Sequence, residues 1–160
     1  MPTEQHRKPI KRSPELAPLS RQHHDGLLLV FKIKQGVRKS IETGRISRYV
    51  HWYWLEHLAP HFELEESLLT PLLPASNILL QQMQREHALI RKQVSDLKES
   101  AEPRQLLDLA KALDDHIRFE ERELFPYMEA TLSRENLEKT GEALSDTKIA
   151  TGTWADPFWI

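Results

Sequence analysis

A chain of 160 residues with no cysteine and a formal net charge of −2 excludes several classes of protein at once. No disulfide, thiolate metal site, iron-sulfur cluster or thiol nucleophile can be built, so a cation must be held by nitrogen and oxygen. The 22 basic and 24 acidic residues are well mixed, so no nucleic-acid partner is expected, and the longest apolar run, Leu27 to Phe31, is too short to span a membrane.

One domain is expected, long enough to bury about two-thirds of its unfolded-chain surface. The basic opening, His6 to Arg12, lacks the apolar run of a signal peptide. The expected protein is soluble and cytoplasmic, with residues 1–14 as a flexible basic segment.

Only five Gly leave long stretches free to be helical, and four of them space apolar residues three and four apart. The first helix is predicted from about Glu15 to Glu42 on a stripe of Leu16, Leu19, Leu27, Val30, Val37 and Ile41, with Thr43-Gly44 as its C-cap. The second is predicted from about Ser47 to Leu73 through Val50, Trp54, Leu68 and Leu72, kinked at Pro60 just before His61. Ser76 or Asn77 caps the third, which carries Leu79, Met83, Ile90, Val94 and Leu97. Pro103 suits the first turn of the fourth, which carries Leu106, Leu109, Leu113, Leu124 and Tyr127.

Long helices with short connections pack as antiparallel neighbours. The expected fold is therefore all-α, an up-down antiparallel four-helix bundle over residues 15–130. Residues 131–160 are expected to add a short helix, opened by a Ser...Glu capping box at Ser133, and an apolar tail, Trp154 to Ile160. That tail is too apolar for a solvated terminus and should pack on the bundle, or on a second subunit in a homodimer.

Two stretches share one pattern. His61 is followed by Glu65, Glu66, Leu69 and Pro71; His116, 55 positions on, is followed by Glu120, Glu121, Leu124 and Pro126 at the same offsets. Residues four apart share a helix face, so each copy aims an imidazole and a carboxylate at one point. The same polar residues interrupt the apolar stripes. The fourth helix reads Leu113, His116, Glu120, Leu124; the third reads Met83, His87, Ile90; the first reads Leu19, His23, Leu27, with His24 as an alternative ligand. The second brings His57, His61 and Glu65. With antiparallel packing and ~1.5 Å rise per residue, all four groups fall in one layer.

A single His on an apolar stripe is ordinarily a hydrogen-bonded core residue, and a lone His...Glu pair a surface contact. Four His and two Glu buried at one level are different, because ionised carboxylates there need a cation. Glu63, Glu66, Glu121 and Glu123 are expected to be solvated. Imidazole and carboxylate without sulfur admit Fe, Mn or Zn, and six ligands with two shared carboxylates suit two metals.

The His-x-x-x-Glu order on the second and fourth helices, with single His on the first and third, resembles the hemerythrin family in its broad HHE cation-binding form. The resemblance covers about residues 15 to 130. It implies a non-haem di-iron centre with His23, His61, His87 and His116 as terminal ligands. Glu65 and Glu120 would bridge the irons beside an oxo or hydroxo group, and Zn or Mn could replace iron as prepared. It also implies a diatomic partner, O2 or NO. Oxygen carriers of the family place two His four apart on the third helix, where this chain has Met83 before His87 and Arg91 after it. His57 is a candidate for the missing ligand. The departure points to a centre that senses or reacts with O2, NO or peroxide, and a binder or sensor is expected ahead of an enzyme. The alternatives are a di-iron oxidoreductase and a metal-storage or structural bundle.

Overall fold

The computed structural model describes residues 11–147, 149 and 152–160, and every regular element among them is helical. Helix α1 spans Ala17–Arg38 and α2 spans Thr43–Tyr53; a π-helical turn at Trp54–Leu58 leads into α3, Ala59–Leu69. A 3-10 turn, Thr70–Leu72, precedes α4, Ile78–Asp96. Helix α5, Pro103–Phe119, passes through a second π turn, Glu120–Leu124, into α6, Phe125–Thr131, and α7 follows at Arg134–Ser145. No described helix is long and apolar enough to cross a membrane.

The helix boundaries have local causes. Helix α1 ends at Arg38, four residues before the expected Glu42, because Ser40 adopts a positive φ of 58°. Its amide then donates to the Val37 carbonyl and that of Ile41 to Gly36, the paired bonds of a Schellman cap. Thr43 and Gly44 instead open α2. Asn77 caps α4 by accepting from the amides of Leu79 and Leu80, and Ser133 caps α7 by accepting from Asn136. Pro60 and Pro126 each follow a π turn, so the backbone bond a proline removes falls where the helix has already changed pitch.

Cross-helix contacts give the relative directions. Arg12 meets Glu129, His23 meets Glu120, and a Cβ on Gly26 would lie 2.9 Å from Ile117 Cδ1, so α1 runs antiparallel to α5 and α6. Gln22 meets His61 while Lys32 meets Tyr49, which makes α1 antiparallel to α2 and α3. Glu66 meets Arg91 while His51 meets the Leu97 carbonyl, and Glu86 meets His116 while Asn77 meets Tyr127. Helix α4 is thus antiparallel to both of its neighbours.

The α1 stripe runs through Gly26 and Leu29 in place of Leu27, which is 40% exposed. Gly26 lets α1 approach α5 closely, which moves the buried face of the helix by one residue. Residues 1–10 of the expected flexible arm lie outside the described residues. Arg12, at the end of that segment, is held by Glu121 and Glu129 with its side chain largely buried.

At the other terminus Phe158 is buried against Gly36 and Ile46, and Arg45 grips Asp156 through two hydrogen bonds of 2.9 and 2.7 Å. The apolar interior forms two clusters. One holds Leu29, Ile33, Ile90, Leu113 and Ile117; the other holds Leu16, Leu19, Met83, Leu124 and Phe125. Between them lies a polar layer.

Candidate metal centre

His23, His61, Glu65, His87, His116 and Glu120 are all buried in that layer, Glu65 and Glu120 with no exposed surface. They form two groups of four, His23, His61, Glu65, Glu120 and Glu65, His87, His116, Glu120, with the ligand atoms of each group within 4.8 Å of one another. Both carboxylates belong to both groups.

The imidazoles present one edge inward and the other outward. His23 Nε2 lies 2.8 Å from Glu120, His61 Nε2 and His87 Nε2 lie 3.2 Å from Glu65, and His116 Nε2 lies 3.3 Å from Glu120. Every Nδ1 atom faces a fixed oxygen on a neighbouring helix. His23 pairs with Glu121 at 3.2 Å, His87 with Glu66 at 3.0 Å, His116 with Glu86 at 2.8 Å, and His61 with Gln22. With Nδ1 donating outward, the Nε2 lone pair is directed into the layer, where a cation would use it. Phe62 stacks on His87 with centroids 3.9 Å apart, and Phe125 on His23 at 5.4 Å, so apolar rings seal the layer.

The outer partners repeat the sequence duplication. Glu66 follows Glu65 and Glu121 follows Glu120, and each crosses to the single His of the adjacent helix. Gln22 and Glu86 stand immediately before His23 and His87 and cross in the opposite sense. The expectation that Glu66 and Glu121 are solvated is therefore corrected: Arg91 and His87 hold Glu66, while Arg12, Ser20 and His23 hold Glu121. Gln22 and Glu86 had no signal along their own helices beyond adjacency to a His. Their role appears only when two helices are brought together.

Six of the eight candidate ligands meet in the layer and two do not. His24 is exposed on the outer face of α1, since adjacent residues on a helix diverge by about 100°. His57 lies in the π turn against Tyr53 and Trp52, with centroids 4.9 and 5.5 Å away, and belongs to neither group. Burial holds its pKa below the ordinary value, despite Asp25 nearby.

The titratable groups of the layer divide the charge unequally. Burial raises the Glu65 carboxyl well above the usual carboxylate range, and the neighbouring Glu120 adds to that. Burial pushes Glu120 up as well, but the His116, His23 and His87 rings outweigh it and hold Glu120 well below that range. His116 loses to burial and gains more from Glu120 and Glu86, which carry it up to about 9. His23 is raised in the same way, burial opposing Glu120 and Glu121, whereas burial and then the charge on His23 push His61 well below its ordinary value.

These residues fit a cation. His61 Nε2 and one oxygen each of Glu65 and Glu120 are buried with no hydrogen-bond partner among the described residues. Orphaned lone pairs at one level are costly in a dry interior, and bound metal uses them. The nitrogen and oxygen donor set accepts iron, manganese or zinc.

No curated protein and no solved structure matches the chain. The sequence profile of the hemerythrin HHE cation binding domain does, over residues 15–128. That match takes in well over half the chain and every residue of the buried His and Glu layer, and the protein belongs to the hemerythrin HHE cation-binding family.

Proposed function

We propose that the chain holds two iron ions between His23, His61, His87, His116, Glu65 and Glu120, and binds O2 or NO there. The observation that carries this reading is the sharing of Glu65 and Glu120 by two groups of four ligand atoms. A single four-coordinate site would need only one group. The fold belongs to the same reading: the antiparallel pairings of α1, α2–α3, α4 and α5–α6 support an up-down four-helix bundle over residues 15–130.

When bound, a ferrous pair supplies the electrons and open coordination positions through which a diatomic ligand is held. The chain contributes orientation, dryness and access. Glu66, Glu86, Glu121 and Gln22 hold the four rings by their outer nitrogens, and Phe62 and Phe125 cover them. A cleft of about 520 Å³ lined by Arg21, Gln22, Tyr53, His57 and His61 brings solvent and small ligands to the edge of the layer. Burial raises the Glu65 carboxyl well above the usual carboxylate range, so cation loading would favour loss of its proton.

The test is metal per chain after anaerobic reconstitution with ferrous iron, followed by exposure of the same sample to O2 or NO. About two irons per chain and a reversible spectral change on exposure are expected. His116→Ala and Glu65→Ala should each abolish stoichiometric iron, and full iron content in both would overturn the assignment. Sustained consumption of O2, peroxide or NO with an added reductant would move the protein to the oxidoreductase reading.

A further inference from the structure

The four groups that hold the imidazoles from outside are not equivalent. Glu86 accepts from His116 Nδ1 at 2.8 Å and from the Gln82 amide at 2.9 Å, with no guanidinium or ammonium on it among the described residues. Glu66 at His87 and Glu121 at His23 are carboxylates too, but each shares its charge with an arginine, Arg91 at 2.8 Å and Arg12 at 2.9 Å. His61 alone has an amide, Gln22.

An ionised carboxylate only accepts. It pins the ring proton on Nδ1, leaves the Nε2 lone pair facing the layer and makes the imidazole a stronger ligand. An amide presents an acceptor oxygen or a donor nitrogen to the same ring edge. Gln22 therefore satisfies either tautomer of His61, and without metal the ring can hold its proton on Nε2, 3.2 Å from Glu65. A cation at His61 competes with that proton.

The difference divides along the two groups of ligand atoms. Behind His87 and His116 stand two carboxylates, one of them free of any cationic partner among the described residues; behind His23 and His61 stand one carboxylate, tied to Arg12, and one amide. Glu65 and Glu120 belong to both groups, so they do not distinguish them. Access divides the same way. Gln22 and His61 line the cleft of about 520 Å³, and neither His87 nor His116 is in its lining.

We propose that the two cation positions are unequal and that Gln22 is the positioning residue that makes them so. The position at His87 and His116 fills first; the position at His23 and His61 fills second and empties first, through the cleft. This inference rests on the two-metal reading above. A missing outer carboxylate costs about 10- to 100-fold in metal affinity, so two dissociation constants separated by about that factor are expected.

The experiment is titration of the metal-free full chain with Zn2+, which is redox-inert, in competition with a chromogenic chelator. Repulsion between adjacent cations also separates two binding steps, so the variants decide. Gln22→Glu should tighten the second step by at least about ten-fold and the first by much less. His61→Ala should keep one Zn2+ at the parent's first affinity, whereas His87→Ala should lose that tight step. Far-UV circular dichroism checks that all three variants fold. An unchanged second step in Gln22→Glu, equal tightening of both steps, or the same residual affinity in His61→Ala and His87→Ala would each overturn the inequality while two Zn2+ still bound the parent. Fewer than two Zn2+ per parent chain would defeat the two-metal reading itself, and this inference with it.

Discussion

His87 Nδ1 lies 3.0 Å from a carboxylate oxygen of Glu66, the residue that follows Glu65 in the chain. Glu121 holds His23 in the same manner, so each His-x-x-x-Glu-Glu copy supplies one carboxylate to the centre and the next to a ring on a neighbouring helix. Outer partners of this kind fix the tautomer and orientation of a ligating imidazole, and their loss ordinarily lowers metal affinity by about 10- to 100-fold. Glu66→Ala and Glu121→Ala should therefore retain helical content and lose metal affinity by about that factor, read by competition with a chromogenic chelator. Affinity equal to that of the parent in both would remove these carboxylates from the centre.

The two central carboxylates should respond differently to amide substitution in metal-free protein. Burial and the neighbouring Glu120 favour the neutral form of Glu65, so Glu65→Gln should cost under about 1 kcal/mol. Glu120 is held ionised among His116, His23 and His87, so Glu120→Gln strands buried positive charge and should cost roughly 3 kcal/mol. Urea unfolding at pH 7 measures both. Equal costs would show that the pair shares its proton evenly.

Alkaline stability should follow Tyr49. Burial, with Asp25 adding to it, raises its phenol from 10.0 to about 12, and Tyr53 is raised further by the same causes. A group whose pKa is raised by folding stabilises the protonated folded state. Its contribution is complete below about pH 10 and is lost as pH rises through about 12. Tyr49→Phe should flatten the decline of melting temperature over that window, and phenolate absorbance at 295 nm should lag until unfolding begins. The same slope in parent and variant would exclude Tyr49 as its source.

The tail should contribute to the stability of the whole chain. Phe158 is buried against Gly36 and Ile46, so Phe158→Ala leaves a cavity and should cost about 3 kcal/mol. Arg45→Ala removes an ion pair between partly exposed groups and should cost under about 1 kcal/mol. Thermal unfolding of the two variants separates a docked tail from a merely tethered one. A Phe158→Ala melting temperature within error of the parent would show that the tail does not hold.

Helix content and the six His and Glu residues of the central layer were legible along the chain, because periodicity and spacing of three and four are local properties of one helix. Leu113, His116, Glu120 and Leu124 announce a polar step in an apolar stripe whatever lies opposite. The Ser133 cap, and Asn77 as one of two candidates beside Ser76, were legible for the same reason, since a cap reads only its own first turn. Tertiary structure decided what depends on two segments at once. It ended α1 at a left-handed Ser40, moved the buried α1 face to Gly26 opposite Ile117, and left His24 and His57 outside the layer. It also turned Glu66 and Glu121 from positions expected to be solvated, and Glu86 and Gln22 from residues with no assigned role, into supports of four imidazoles. The physical reason is range: helix periodicity is set within a few residues, whereas the partner of an outward-facing nitrogen or a tail indole is chosen by the packing of helices distant in sequence.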